Sequence, residues 1–220
     1  MKKEKQQKHS TLKLVLTTFF VTCLIFSNII AGRQIQLPFN LVMPGAVIIF
    51  PITYILSDIF SEVYGYRWSR ITNYMGLVGN LFIVLISFIL ISIPFPNYFE
   101  NAEAYKIVLG NTPRMLIASM LGLFIGDLLN DLVFRELKIK YKDSHEEYAF
   151  RAIFSSLIGQ LGDSFIFIPI AFYGEMPLRT MLTMITIQAL MKVGYEILVL
   201  PLSRKLMLLT SKYESEIKDE

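Results

Sequence analysis

Residues Met43 to Tyr66, MPGAVIIFPITYILSDIFSEVYGY, decide how this chain is to be read. Most of the stretch is apolar over about 20 residues, the length an α-helix needs to cross a hydrocarbon core of about 30 Å. Asp58 and Glu62 stand within it at i and i+4, so both carboxylates lie on one helix face. A charged side chain at the bilayer centre costs about 2.5–3.5 kcal/mol on insertion scales. Two on one stripe therefore need a protein-lined or water-lined surface to face. The competing reading puts the acids at the helix end, where they reach the aqueous interface. Pro44 falls where a first-turn proline is harmless. Pro51 falls inside the stretch, removes a backbone donor and predicts a kink with a freed carbonyl.

The rest of the chain shares this character. Its 220 residues are 54% hydrophobic with a mean hydropathy of +0.51, too apolar for a soluble domain. Apolar runs long enough to span a membrane recur, which points to a polytopic α-helical membrane protein. No loop is long enough to fold as a second domain. The net charge of +3 does not argue for nucleic acid, because the basic residues gather in loops. Cys23 is the single cysteine, so an intramolecular disulfide and a cysteine metal cluster are both excluded.

Outward from the opening stretch, the boundaries follow hydropathy. Residues 1–10, MKKEKQQKHS, form a basic tail, and a first span covers residues 12–32. Its apolar run exceeds a signal-peptide core and no small-x-small cleavage site follows, so a retained span is expected. It carries Asn28 and exits at Arg33. A short loop from Gln34 to Val42 leads to the second span, which ends at Gly65. Tyr66-Arg67-Trp68-Ser69-Arg70 reads as an interfacial turn. A third span covers residues 71–93, and a loop then runs to Pro113. The fourth, residues 114–134, contains Gly122-x-x-x-Gly126, a spacing that lets helices approach closely. A basic loop reaches Arg151. The fifth and sixth spans cover residues 152–172 and 178–203.

The expected fold class is therefore an all-α membrane protein with six transmembrane helices. A basic tail (1–11) precedes the six-helix transmembrane domain (12–205), and a charged tail (206–220) follows. Lys and Arg are rich in both tails, the 66–70 turn and the 135–151 loop, and poor in the other loops, so both termini are expected to be cytoplasmic. Asn28 precedes Arg33, and Asn130 precedes Arg135, at the same spacing and at the ends of spans one and four. That echo is compatible with a 3+3 inverted repeat.

Collected together, the intramembrane polar residues are Asn28, Asp58, Glu62, Asp127, Asn130, Asp131, Gln160, Asp163, Gln188, Lys192 and Glu196. Lys192 can neutralise one carboxylate directly; the others must meet water, take up a proton or face a ligand. Asp163 and Lys192 lie nearest the middle of their spans and are the expected pair. The alternative pairs Lys192 with Glu196 along its own helix and leaves Asp163 to helix packing. A polar cavity between spans one, two, four, five and six is expected. Carboxylates with the amides of Asn28, Gln160 and Gln188 suit the donor-rich edge of a planar heterocycle, and an acid also suits a cationic amine. Enzyme readings fit less well. Neither His9 nor His145 lies in a span, Gly162-Asp163 lacks the Gly-x-Gly-Asp pattern of intramembrane aspartyl proteases, and there is no phosphate-binding glycine loop. No catalytic residue, cofactor or metal site is expected.

Ser27-Asn28, Pro44-Gly45-Ala46 with Phe50-Pro51 and then Asp58, Gly159-Gln160-x-x-Asp163, and Lys192 occur in an order that resembles the bacterial queuosine precursor transporters. That family is also called the vitamin uptake transporter family, and the resemblance covers residues 12–205. It implies a secondary transporter or facilitator that imports 7-deazaguanine bases such as preQ0 or preQ1 across the bacterial cytoplasmic membrane. It also implies that Asn28, Asp58, Gln160, Asp163 and Lys192 are substrate-binding. Glu62, Asp127, Asp131, Gln188 and Glu196 are added from the residues themselves. The implied partners are a small-molecule substrate and the lipid bilayer, with a homodimer left open and no nucleic acid. The rival readings are the substrate-binding subunit of an energy-coupling-factor importer, and a membrane enzyme or scaffold.

Overall fold

The computed structural model describes residues 11–140 and 145–219. The basic tail at 1–10, with His9, and loop positions 141–144 lie outside the described residues. Among the described residues six α-helices make up the bundle: α1 (Thr11–Ala31), α2 (Phe50–Glu62), α3 (Tyr66–Ser92), α4 (Ala102–Lys140), α5 (His145–Phe172) and α6 (Leu178–Asp219). Five of them, all but α2, are long and apolar enough to cross a membrane. A short antiparallel hairpin, β1 (Gln34–Gln36) and β2 (Val42–Pro44), connects α1 to the segment that leads into α2, with Gln34 opposite Pro44. Its tip places Phe39 and Asn40 at positive φ.

The opening stretch is not one helix. Pro44 belongs to β2, a 3-10 turn occupies Gly45–Ile48, and α2 has 13 residues. The break has a steric cause. The Gly45 N–H donates to Arg33 O at 2.7 Å, and a Cβ at Gly45 would lie 2.7 Å from Ile30 O. The chain thus presses against the end of α1 and enters α2 only after turning. Pro51 consequently lies in the first turn of α2, where no intrahelical donor is lost. The expected internal kink at Pro51 is absent for that reason.

Beyond the turn, α2 runs back alongside α1. Phe60 packs edge-to-face on Phe20 with ring centroids 5.3 Å apart, and Trp68 Nε1 donates to Thr17 Oγ1 at 3.2 Å. Gly65, at φ +83, reverses the chain between α2 and α3. The aromatic and basic residues 66–70, expected as a turn, form the start of α3. Helices also outrun their apolar stretches. α4 begins at Ala102 and carries Pro113 inside it, where a loop was expected, and α6 continues past Pro201 to Asp219.

Both ends of the described chain meet Tyr64. The Tyr64 hydroxyl donates to Glu214 Oε1 at 2.7 Å, and Lys13 Nζ lies 5.3 Å from the Tyr64 ring centroid. This end of the bundle is the terminal end. At the opposite, hairpin end, Arg114 ties α4 to α5, donating to Ile170 O and Tyr173 O at 2.6 Å each and to Glu175 at 3.1 Å. An apolar cluster that includes Ala31, Met115, Phe167, Phe172 and Met184 fills the hairpin half of the bundle.

Candidate functional site

Glycines set the geometry of the site. On α4, Gly122 and Gly126 face α5 so closely that a Cβ on Gly126 would lie 2.9 Å from Gly159 O and 2.9 Å from Asp163 Cβ. A Cβ on Gly122 would lie 2.7 Å from Asp163 Oδ1. The small-residue spacing expected to bring two helices together does so, and the same two glycines make the seat in which the Asp163 carboxylate rests.

From that seat Asp163 reaches α6. Lys192 Nζ donates to Asp163 Oδ2, and the two side chains are only 10% and 14% exposed. The Phe50 ring, at the start of α2, lies 4.9 Å from the ammonium and adds a cation–π contact. Glu196, the alternative partner on the same helix, instead accepts a hydrogen bond from Ser156 Oγ at 2.5 Å.

On the terminal side of this pair a cleft of about 770 Å³ opens between α2, α4, α5 and α6. Its walls carry Tyr54, Ser57, Asp58, Ser61 and Glu62 from α2, Asn130 from α4, Ser156 and Gln160 from α5, and Glu196 and Arg204 from α6. Asp58 accepts from Ser203 Oγ at 2.6 Å. Asp58, Glu62 and Glu196 have no basic group within ion-pair distance among the described residues. The lining is thus rich in hydrogen-bond acceptors and short of positive charge, so it suits a ligand with several N–H donors or a cationic amine.

Of the residues picked out by sequence, Asp58, Glu62, Gln160 and Glu196 line the cleft together, with Asn130 beside them. Asp163 and Lys192 lie at its inner limit. Gln188, one helical turn before Lys192, is 1% exposed, and its Oε1 has no hydrogen-bond partner among the described residues. Three residues stand elsewhere. Asn28 donates to Asn80 Oδ1 at 3.0 Å across the α1–α3 interface. Asp127 is exposed and absent from the cleft wall, as is Asp131. Helix α1, expected among the walls, contributes no lining residue because Asn28 is committed to α3. Sequence reasoning missed Tyr54, Ser57, Ser61, Ser156, Ser203 and Arg204. A signal for several was present: Tyr54 continues the Asp58–Glu62 stripe by one turn, Ser156 precedes Gln160 by one turn, and Arg204 follows Glu196 by two.

Comparison with known proteins fits this geometry. A family model described as "Putative vitamin uptake transporter" matches residues 44–205, which take in every cleft-lining residue named above together with Asp163 and Lys192. No curated protein and no solved structure gave a match. The match spans well over half of the chain, and the chain belongs to the vitamin uptake transporter family.

Proposed function

We propose that this protein imports 7-deazaguanine precursors of queuosine, bases such as preQ0 and preQ1, and binds them in the cleft between α2, α4, α5 and α6. The observation that carries the reading is the cleft itself: carboxylates and amides that reach into a membrane-spanning bundle and end at the Asp163–Lys192 pair. A guanine-like edge offers ring and exocyclic N–H donors to acids that lack a basic partner among the described residues, and Tyr54 supplies an aromatic face. An aminomethyl group would bring a second positive charge to a lining whose one basic side chain among the described residues is Arg204.

The path of the chain supports six crossings, with the 3-10 turn and α2 together forming the second. Gly45 starts level with Arg33, past the end of α1, and Trp68, just beyond α2, lies level with Thr17 of α1. With the Lys- and Arg-rich segments inside, the terminal end is cytoplasmic and the cleft faces the cytoplasm of a bacterial cell. Uptake then proceeds as secondary transport or facilitated diffusion, with no ATPase subunit.

The experiment is uptake of radiolabelled precursor by cells that lack their own carrier, followed by the purified chain in liposomes. We expect uptake in both settings. Asp163→Asn and Asp58→Asn should each abolish it while the protein still inserts. Wild-type rates in both variants would remove these residues from the site. Uptake in cells but not in liposomes would assign the chain to a multi-subunit importer.

A further inference from the structure

Two polar stripes line the cleft, and both continue beyond it. On α5, Ser156 and Gln160 face the cleft, and Ser164 comes next in the same i, i+4 register. On α6, Glu196 faces the cleft, while Lys192 and then Gln188 follow one and two turns back toward the hairpin end. Ser164 is 0% exposed and Gln188 1% exposed, and neither Ser164 Oγ nor Gln188 Oε1 has a hydrogen-bond partner among the described residues. Buried side-chain oxygens are nearly always paired, because an unpaired one forfeits the water it gave up. Two such atoms, each on a stripe that elsewhere faces the cleft, mark a place that is wetted or occupied in another state of the protein.

A specific set of groups separates these two oxygens from the cleft. The Asp163–Lys192 pair joins the same two helices at this level, and the Phe50 ring covers the ammonium. Past them the apolar cluster of the hairpin half closes the bundle.

We infer that the binding path continues past the Asp163–Lys192 pair into a closed polar step formed by Ser164 and Gln188, with the pair and the Phe50 ring as its door. This rests on reading the chain as a carrier. When the pair separates, Gln188 Oε1 and Ser164 Oγ become acceptors for a solute's N–H groups, and the solute moves from the cleft toward the hairpin end. The orphaned oxygens are thus satisfied in the open state and carried as a cost in the closed one.

The test needs no substrate, so its failure and the failure of the uptake reading are separable. Ser164→Cys is made in the full chain and treated with a small membrane-permeant thiol reagent, with and without Lys192→Met. Native Cys23, 7% exposed in α1, serves as an internal monitor of unfolding. With the pair intact, position 164 should stay unlabelled. With Lys192→Met it should react about tenfold faster or more, as expected when a local opening becomes populated, while Cys23 stays protected. Should Lys192→Met also expose Cys23, the nearly isosteric Asp163→Asn, which keeps the contact with Gly126, carries the same comparison. Equal labelling with and without the pair, or rapid labelling when it is intact, overturns the inference.

Discussion

Asp163 rests against bare backbone, and that contact leaves little room for change. A methyl on Gly126 would meet Asp163 Cβ and Gly159 O at 2.9 Å, with no flexible side chain able to give way. Overpacking of this kind costs about 1–3 kcal/mol, whereas alanine recovers up to about 1 kcal/mol over glycine in a helix interior. Gly126→Ala should therefore lower the thermal midpoint in detergent. Gly110→Ala on the same helix, where a Cβ meets nothing within 4 Å, should leave the midpoint unchanged or raise it. A higher midpoint for Gly126→Ala would mean that α4 and α5 do not approach as described. The glycine spacing was readable from sequence because it follows a helical repeat. That its occupant is a carboxylate was not, because nothing in the sequence of α4 records what α5 presents to it.

At the scale of elements, hydropathy located the helices and misjudged their limits. The run from Gly45 to Phe60 is apolar over most of its length, so it reads as one span. The break at Gly45–Ile48 is set by contact with Ile30 and Arg33, which no local pattern encodes. The polar ends of α4 and α6 carry no hydropathy signal, yet they are helical. Asn28 shows the same limit. It reads as a candidate ligand, but the structure gives it Asn80, itself bonded to Gly76 O at 3.0 Å. Hydrogen bonds between membrane helices contribute about 0.6 kcal/mol on average and up to about 1.7 kcal/mol. A double-mutant cycle with Asn28→Ala and Asn80→Ala should give a coupling energy in that range, with uptake close to wild type in Asn28→Ala. Loss of uptake without loss of stability would return Asn28 to the site.

The molecule as a whole is closed by apolar packing in its hairpin half and open as an acidic cleft in its terminal half. The two halves meet at the Asp163–Lys192 pair. This asymmetry is what a carrier needs if it is to be open to one side at a time. The sequence made the membrane class and the three cleft acids legible, since charge inside an apolar run stands out. It could not show that those acids lie without a basic partner among the described residues, which is a property of the assembled bundle. The carrier reading stands or falls on whether these acids hold a solute. Thermal unfolding of the purified chain with a 7-deazaguanine precursor measures this most directly, because a ligand at about 100 times its Kd adds about 2.7 kcal/mol by mass action. The wild-type midpoint should rise with precursor concentration, and Glu196→Gln should blunt the rise while still folding. A midpoint that does not move at any soluble concentration of precursor would contradict that reading.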